Sequence, residues 1–186
     1  MGKADTVDLV GSYLNLAGSP ITVTGSATLS FTGDRDLRVQ AGQTLRFENA
    51  VITNGNLGAN YRGFEHRGTI VLVNTKLETN SMQALGSAVV KMDANSMLYG
   101  KNRMTFAAGA TLEIDVTDLA ADGVAKMIMQ GGIDDCNNAA AKAVLTGEGA
   151  ENTTVYADNG AVYIVKNDPA AAIDGESYDE ELIPQA

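Results

Sequence analysis

Gly109-Ala110-Thr111-Leu112-Glu113-Ile114 sets a glycine turn ahead of a strictly alternating run. Alternation places Leu112 and Ile114 on one face of a strand and Thr111 and Glu113 on the other. The same phrase recurs as Gly25-Ser26-Ala27-Thr28-Leu29-Ser30-Phe31 and as Gly42-Gln43-Thr44-Leu45-Arg46-Phe47. Asn95-Ser96-Met97-Leu98-Tyr99 is a looser copy in which asparagine supplies the turn. The four leucines stand at positions 29, 45, 98 and 112, so the paired copies lie 16 and 14 residues apart. A turn–strand phrase repeated at irregular spacing predicts stacked rungs whose loops differ in length.

Working outward, residues 21–24, 37–40, 68–73 and 88–92 also read as short strands rich in β-branched and apolar residues. Ala41-Gly42, Ala94-Asn95-Ser96 and Ala108-Gly109 separate the strands with residues that tolerate turn geometry. One rung cannot bury its own apolar face. Stacking at about 4.8 Å pairs every backbone and gathers the apolar side chains into ladders. The expected fold is therefore all-β: a parallel β-helix, or β-solenoid. At roughly 16–25 residues per rung, residues 10–130 supply about five to seven rungs. The repeats run from about 20 to 131. A compact β-sandwich, with the short spacing reflecting hairpins, is the competing architecture.

Thr154-Val155-Tyr156-Ala157-Asp158-Asn159-Gly160-Ala161-Val162-Tyr163-Ile164-Val165 reads as a β-hairpin, because Asn-Gly between alternating runs favours a type I′ turn. Residues 118–131 admit either a short helix capped by Asp118 or a second hairpin turned at Asp122-Gly123, and the hairpin is the expectation, since a central glycine weakens a helix. Alanine-rich residues 138–145 could form two helical turns. Residues 58–67 break the pattern and are expected to leave the body as a loop. Asp168, Asp174, Glu176, Asp179, Glu180 and Glu181 make an acidic tail without a basic residue. The expected organisation is a solenoid domain, residues 1–166, followed by a tail, residues 167–186.

Thirteen Lys+Arg stand against 23 Asp+Glu, giving a net charge of −10. Nucleic-acid binding and a polybasic membrane role are disfavoured, because both need dense positive charge. Residues 9–23 are interrupted by Gly11, Ser12, Asn15, Gly18 and Pro20, so they form neither an export signal core nor a membrane span. No membrane insertion is expected.

The chemistry-bearing residues are few. Cys136 is the only cysteine, so no intrachain disulfide is possible, and its acidic neighbours oppose thiolate formation. It reads as a turn residue. His66 is the only histidine; Glu65-His66-Arg67 lacks a placed nucleophile, and a loop or rim histidine is expected. No cofactor is expected. Calcium is the one metal the sequence leaves open, through Asp34, Asp36, Asp134 and Asp135, although none of these fits an EF loop.

The Gly-x-Thr-Leu-x-apolar phrases, residues 109–130 and the Asn159-Gly160 hairpin together resemble the passenger domains of bacterial autotransporters and related repeat-rich surface adhesins. The resemblance implies a right-handed parallel β-helix, exported and displayed outside the cell. The functional expectation is a noncatalytic extracellular or bacterial cell-surface protein, structural or adhesive, whose partners are further copies of itself or a surface glycan or protein receptor. Edges for assembly would lie at Asp5, Leu9 and Leu14 near the start of the chain and at Tyr178 and Leu182 in the tail. The alternative is a carbohydrate-binding or carbohydrate-degrading module on the same scaffold, with Tyr61, Arg62 and Phe64 as the glycan contacts; against those contacts stands the reading that Tyr61 and Phe64 fold back on the solenoid side.

Overall fold

The computed structural model describes residues 5–9, 20–31, 36–54 and 63–168. The chain coils through three sides, and each side is a parallel sheet. The first strands are β1 (Asp5–Leu9), β2 (Ile21–Phe31), β3 (Leu37–Val39) and β4 (Thr44–Asn54). They continue as β5 (Phe64–His66), β6 (Thr69–Val73), β7 (Lys76–Ala84), β8 (Val89–Asp93), β9 (Met97–Phe106) and β10 (Thr111–Asp115). β11 (Lys126–Gln130), helix α1 (Ile133–Ala141), β12 (Ala143–Thr146), β13 (Thr153–Asp158) and β14 (Ala161–Lys166) complete the order.

On the first side, β6 lies between β4 and β8, β10 follows β8, and β12 follows β10, all parallel. Leu45, Ile70, Val90 and Leu112 fall in register down this side, at steps of 25, 20 and 22 residues. Phe47, Leu72, Met92 and Ile114 form the adjacent inward row. Every one of these side chains is buried, and each contributes about 1.5–3 kcal/mol by leaving water. A slip of one residue would turn both rows to solvent, so the apolar alternation fixes the register.

The second side stacks Ile52, Leu77, Leu98 and Met129 inward. The third stacks Leu37, Phe64, Met82 and Met104, with Val39, His66, Ala84 and Phe106 beside them. Phe64 meets Phe47 edge to face across the core, ring centroids 6.3 Å apart at 88°. The result is a β-solenoid of stacked parallel coils: β2, β4, β6, β8 and β10 lie one over another down the first side, and β12 follows them. Leu29 and Leu45 are not neighbours in a stack, because Leu29 belongs to the second side and Leu45 to the first. The Thr-Leu phrase marks a strand after a turn, and a three-sided coil has several such places per turn.

The corner between the first and second sides bends through the left-handed region. Asn49 and Asn74 hold φ of 49° and 45°, with Gly25 at the same place one coil earlier. Asparagine tolerates this conformation. Asn74 Nδ2 donates to Asn49 Oδ1 at 2.9 Å, so the corner builds its own side-chain ladder. Asn102 Nδ2 donates likewise to Asn80 Oδ1 at the corner between the second and third sides. Where the third side turns back to the first, Gln40–Gln43, Leu85–Ala88 and Ala107–Ala110 each close a backbone turn. The Ala41-Gly42 and Ala108-Gly109 pairs sit inside two of these turns, as their residue types require.

The coil ends by changing its pairing. β11 is parallel to β9 on one edge and antiparallel to β14 on the other, with a bulge between Met127 and Met129. β13 and β14 form the Asn159-Gly160 hairpin, both turn residues having positive φ. Helix α1 covers the third side. Asp135 accepts the Met104 amide at 2.8 Å and Asn138 accepts the Phe106 amide at 3.0 Å. Side chains spaced i, i+3 lie on one helix face, and here that face satisfies alternate amides of the last strand.

Three local expectations are corrected. Residues 118–123 form a turn, not a strand, so Gly123 (φ 71°) does not close a hairpin and β11 pairs with β9. The helix begins at Ile133, and 143–146 is strand β12, because Ala143 and Leu145 continue the inward rows under β10. Phe64–His66 is strand β5 of the third side, not part of an outlying loop. Of residues 58–67, positions 58–62 lie outside the described residues, as does the tail from 169.

Candidate functional site

Of the expected glycan contacts, Tyr61 and Arg62 lie outside the described residues. Phe64 is a correction: it is 1% exposed and packs in the core, so it offers no ring to a ligand. Asp5 and Leu9 begin and end β1, whose backbone pairs in parallel with β2 from Asp5↔Ala27 to Leu9↔Phe31. Leu14, Tyr178 and Leu182 lie outside the described residues.

His66 is also corrected. It is fully buried on the inward side of β5, because alternation that points Phe64 inward must do the same two residues later. Glu65 therefore faces the other way and pairs with Arg38 at 3.3 Å. The imidazole Nδ1 lies 3.2 Å from the Gly68 carbonyl, and Nε2 has no partner. A carbonyl only accepts, so Nδ1 carries the proton. Burial pulls the pKa down to about 4, against a smaller opposing effect of the Gly68 hydrogen bond. Cys136 sits in α1, not a turn, and burial together with the Asp135 charge raises its thiol pKa.

Two of the four acidic residues considered for calcium, Asp36 and Asp135, have structural duties. Asp36 accepts the Gly63 amide at 2.9 Å and Asp135 caps β9. Asp34 lies outside the described residues. Among the described residues, no group of three or more His, Cys, Asp or Glu side chains is arranged to hold a metal.

Among the described residues, two outward surfaces carry grooves. The first side carries a shallow groove of about 390 Å³ lined by Arg46, Lys91, Asp93, Glu113 and Asp115 among others. Its charges answer one another along and across strands. Arg46 pairs with Glu48 at 2.9 Å and Lys91 with Glu113 at 2.6 Å. Asp93 accepts the Asn74 amide and the Ser96 hydroxyl at 2.9 and 2.6 Å. Asp115 accepts the Thr117 amide and hydroxyl, which hold its carboxyl below the ordinary value. A general acid needs the reverse shift.

The second side carries a groove of about 620 Å³ lined by Lys76, Glu78, Met97, Tyr99, Lys126 and Met127 among others. Register sets Lys76 beside Met97 and Glu78 beside Tyr99. Beyond β11, Met127 lies opposite Tyr163, and Tyr163 opposite Tyr156. These two tyrosines stack with ring centroids 5.4 Å apart. Val51, opposite Lys76, is 46% exposed, Met127 39% and Tyr156 39%. This apolar and aromatic strip is the candidate site. Its residues are scattered over positions 51–163, and no linear pattern joins them. The bulge at β11 adds to the concealment, turning Met127 outward while Ile128 and Met129 stay buried.

Compared with protein-family models, with curated proteins and with solved structures, the chain matches none.

Proposed function

We propose that this chain is a noncatalytic structural or adhesive module, displayed at a bacterial surface or outside the cell in the manner of autotransporter passengers. The first-side groove carries the noncatalytic part of the reading. Its carboxylates are committed to ion pairs and turn amides, and Asp115 is shifted away from general-acid duty. Stability supplied by stacked ladders, with a single buried thiol and no disulfide, suits an exported scaffold as well as a cytosolic one.

Carbohydrate binding is the second reading, favoured by Tyr99 lying in the second-side groove beside Glu78, Lys76 and Gln130. Rings and carboxamides are groups that sugars use.

The test is protease treatment of intact source cells followed by immunoblotting. Loss of the chain from intact cells supports display; protection until lysis overturns it. Hydrolysis of acidic and neutral polysaccharides is measured in parallel. Turnover that disappears in Glu113→Gln or Asp115→Asn would replace the structural reading with an enzymatic one.

A further inference from the structure

We propose that the outward face of the second side is a self-complementary dimer interface, in which two copies pack side by side with their coil axes parallel. This rests on the self-association part of the reading above and moves it from the ends of the coil to its flank. The carrying observation is a pair of adjacent outward rows that are oppositely charged on β7 and apolar or aromatic on β9. On β7 the rows hold Lys76 and Glu78; on β9 they hold Met97 and Tyr99. A two-fold axis parallel to the stack, placed between the rows, exchanges one row for the other. Lys76 then faces Glu78 of the second copy, and Met97 faces Tyr99, each pair occurring twice. Opposite charges attract and sulfur packs well on aromatic rings, so the charged and the apolar contacts are satisfied by the same operation.

Three further observations fit this occupant. Among the described residues no side-chain hydrogen bond or ion pair engages Lys76 or Glu78, so both charges are available. The face continues in exposed Val51 and Met127, and methionine and aromatic residues are the types enriched at protein interfaces. The chain carries a net charge of −10, yet this groove holds Lys76 and Lys126 against Glu78. Here two copies can meet without the repulsion that the rest of the acidic chain imposes. Parallel axes also point both copies the same way, as display from one surface requires.

The test is sedimentation equilibrium of the full chain over a concentration series. Wild type is expected to dimerise. Lys76→Glu and Glu78→Lys should each raise the dimer dissociation constant by about tenfold or more, because each sets like charges face to face twice. The double swap, Lys76→Glu with Glu78→Lys, should restore it to within a few-fold, and a mixture of the two single variants should form the heterodimer. Both positions are on the outer surface, and unchanged circular dichroism verifies folding. Val7→Pro in β1, which disturbs an end strand, should leave the dimer intact. A chain that stays monomeric overturns the proposal. So does a dimer broken by Val7→Pro and indifferent to Lys76→Glu, which would return assembly to the ends. So does a monomer whose tyrosine emission responds to an added oligosaccharide, which would give the face to a glycan. None of these outcomes alters the protease result on intact cells, so the two readings fail separately.

Discussion

Acidification should destabilise this protein through His66. His66 is buried with Nε2 unpartnered, and its pKa is about 4 in place of 6.5. The folded state therefore resists the proton that the unfolded chain accepts. Above pH 6.5 His66 is neutral in both states and costs nothing. As pH falls from 6.5 towards 4 the unfolded chain gains a proton first, and stability drops along that window, levelling off below it. The gap of 2.5 units converts to about 3 kcal/mol in all, of which about 2.5 kcal/mol is lost by pH 4.5. Urea unfolding at several pH values reads this directly. For a slope of about 1–3 kcal/mol/M the midpoint should fall by about 0.8–2.5 M more in wild type than in His66→Leu. The leucine fills similar space, does not titrate and removes the unpaired nitrogen, so its stability near neutrality should change by less than about 1.5 kcal/mol. Carboxylate protonation acts on both proteins and cancels in the difference. Parallel loss of stability in wild type and His66→Leu between pH 6.5 and 4.5 would show that His66 does not set the acid sensitivity.

Asp135→Ala should lower stability by about 1–3 kcal/mol, because the Met104 amide at the end of the third side loses its acceptor; thermal melting checks it, and Asn138→Ala should act similarly through Phe106. Gly63→Ala should cost more than about 2 kcal/mol, since a Cβ there would lie 2.0 Å from the Ser81 carbonyl oxygen; failure to accumulate soluble protein, or an early melt, is the expected readout. Removing the partly exposed Lys91–Glu113 pair by Glu113→Gln should change stability by less than about 1 kcal/mol, measured by urea titration. Cys136 should react with a thiol reagent only at the rate of unfolding, because it is buried and its pKa is raised; a fast reaction in native buffer would contradict its placement in α1.

Alternation along each strand was enough to show which residues face inward, because side-chain direction has a period of two wherever a strand forms. It gave Leu45 and Phe47, Leu112 and Ile114, and the hairpin about Asn159-Gly160. The turn residues gave the corners at Ala41-Gly42 and Ala108-Gly109 for the same local reason. Which strand lies over which was beyond that information: Leu45 stacks on Ile70 after 25 residues and Ile70 on Val90 after 20, and the loop lengths that set these steps follow from closing three sides around one core. Closure also drew Phe64 and His66 inward from a segment that reads as a polar loop, and placed α1 where two of its side chains meet open amides. The outward strip of Lys76, Glu78, Met97, Tyr99, Met127 and Tyr163 exists only because parallel register brings distant strands side by side. Local chemistry wrote the strands and turns; the need of each coil for its neighbours' amides and apolar surface decided everything that joins them.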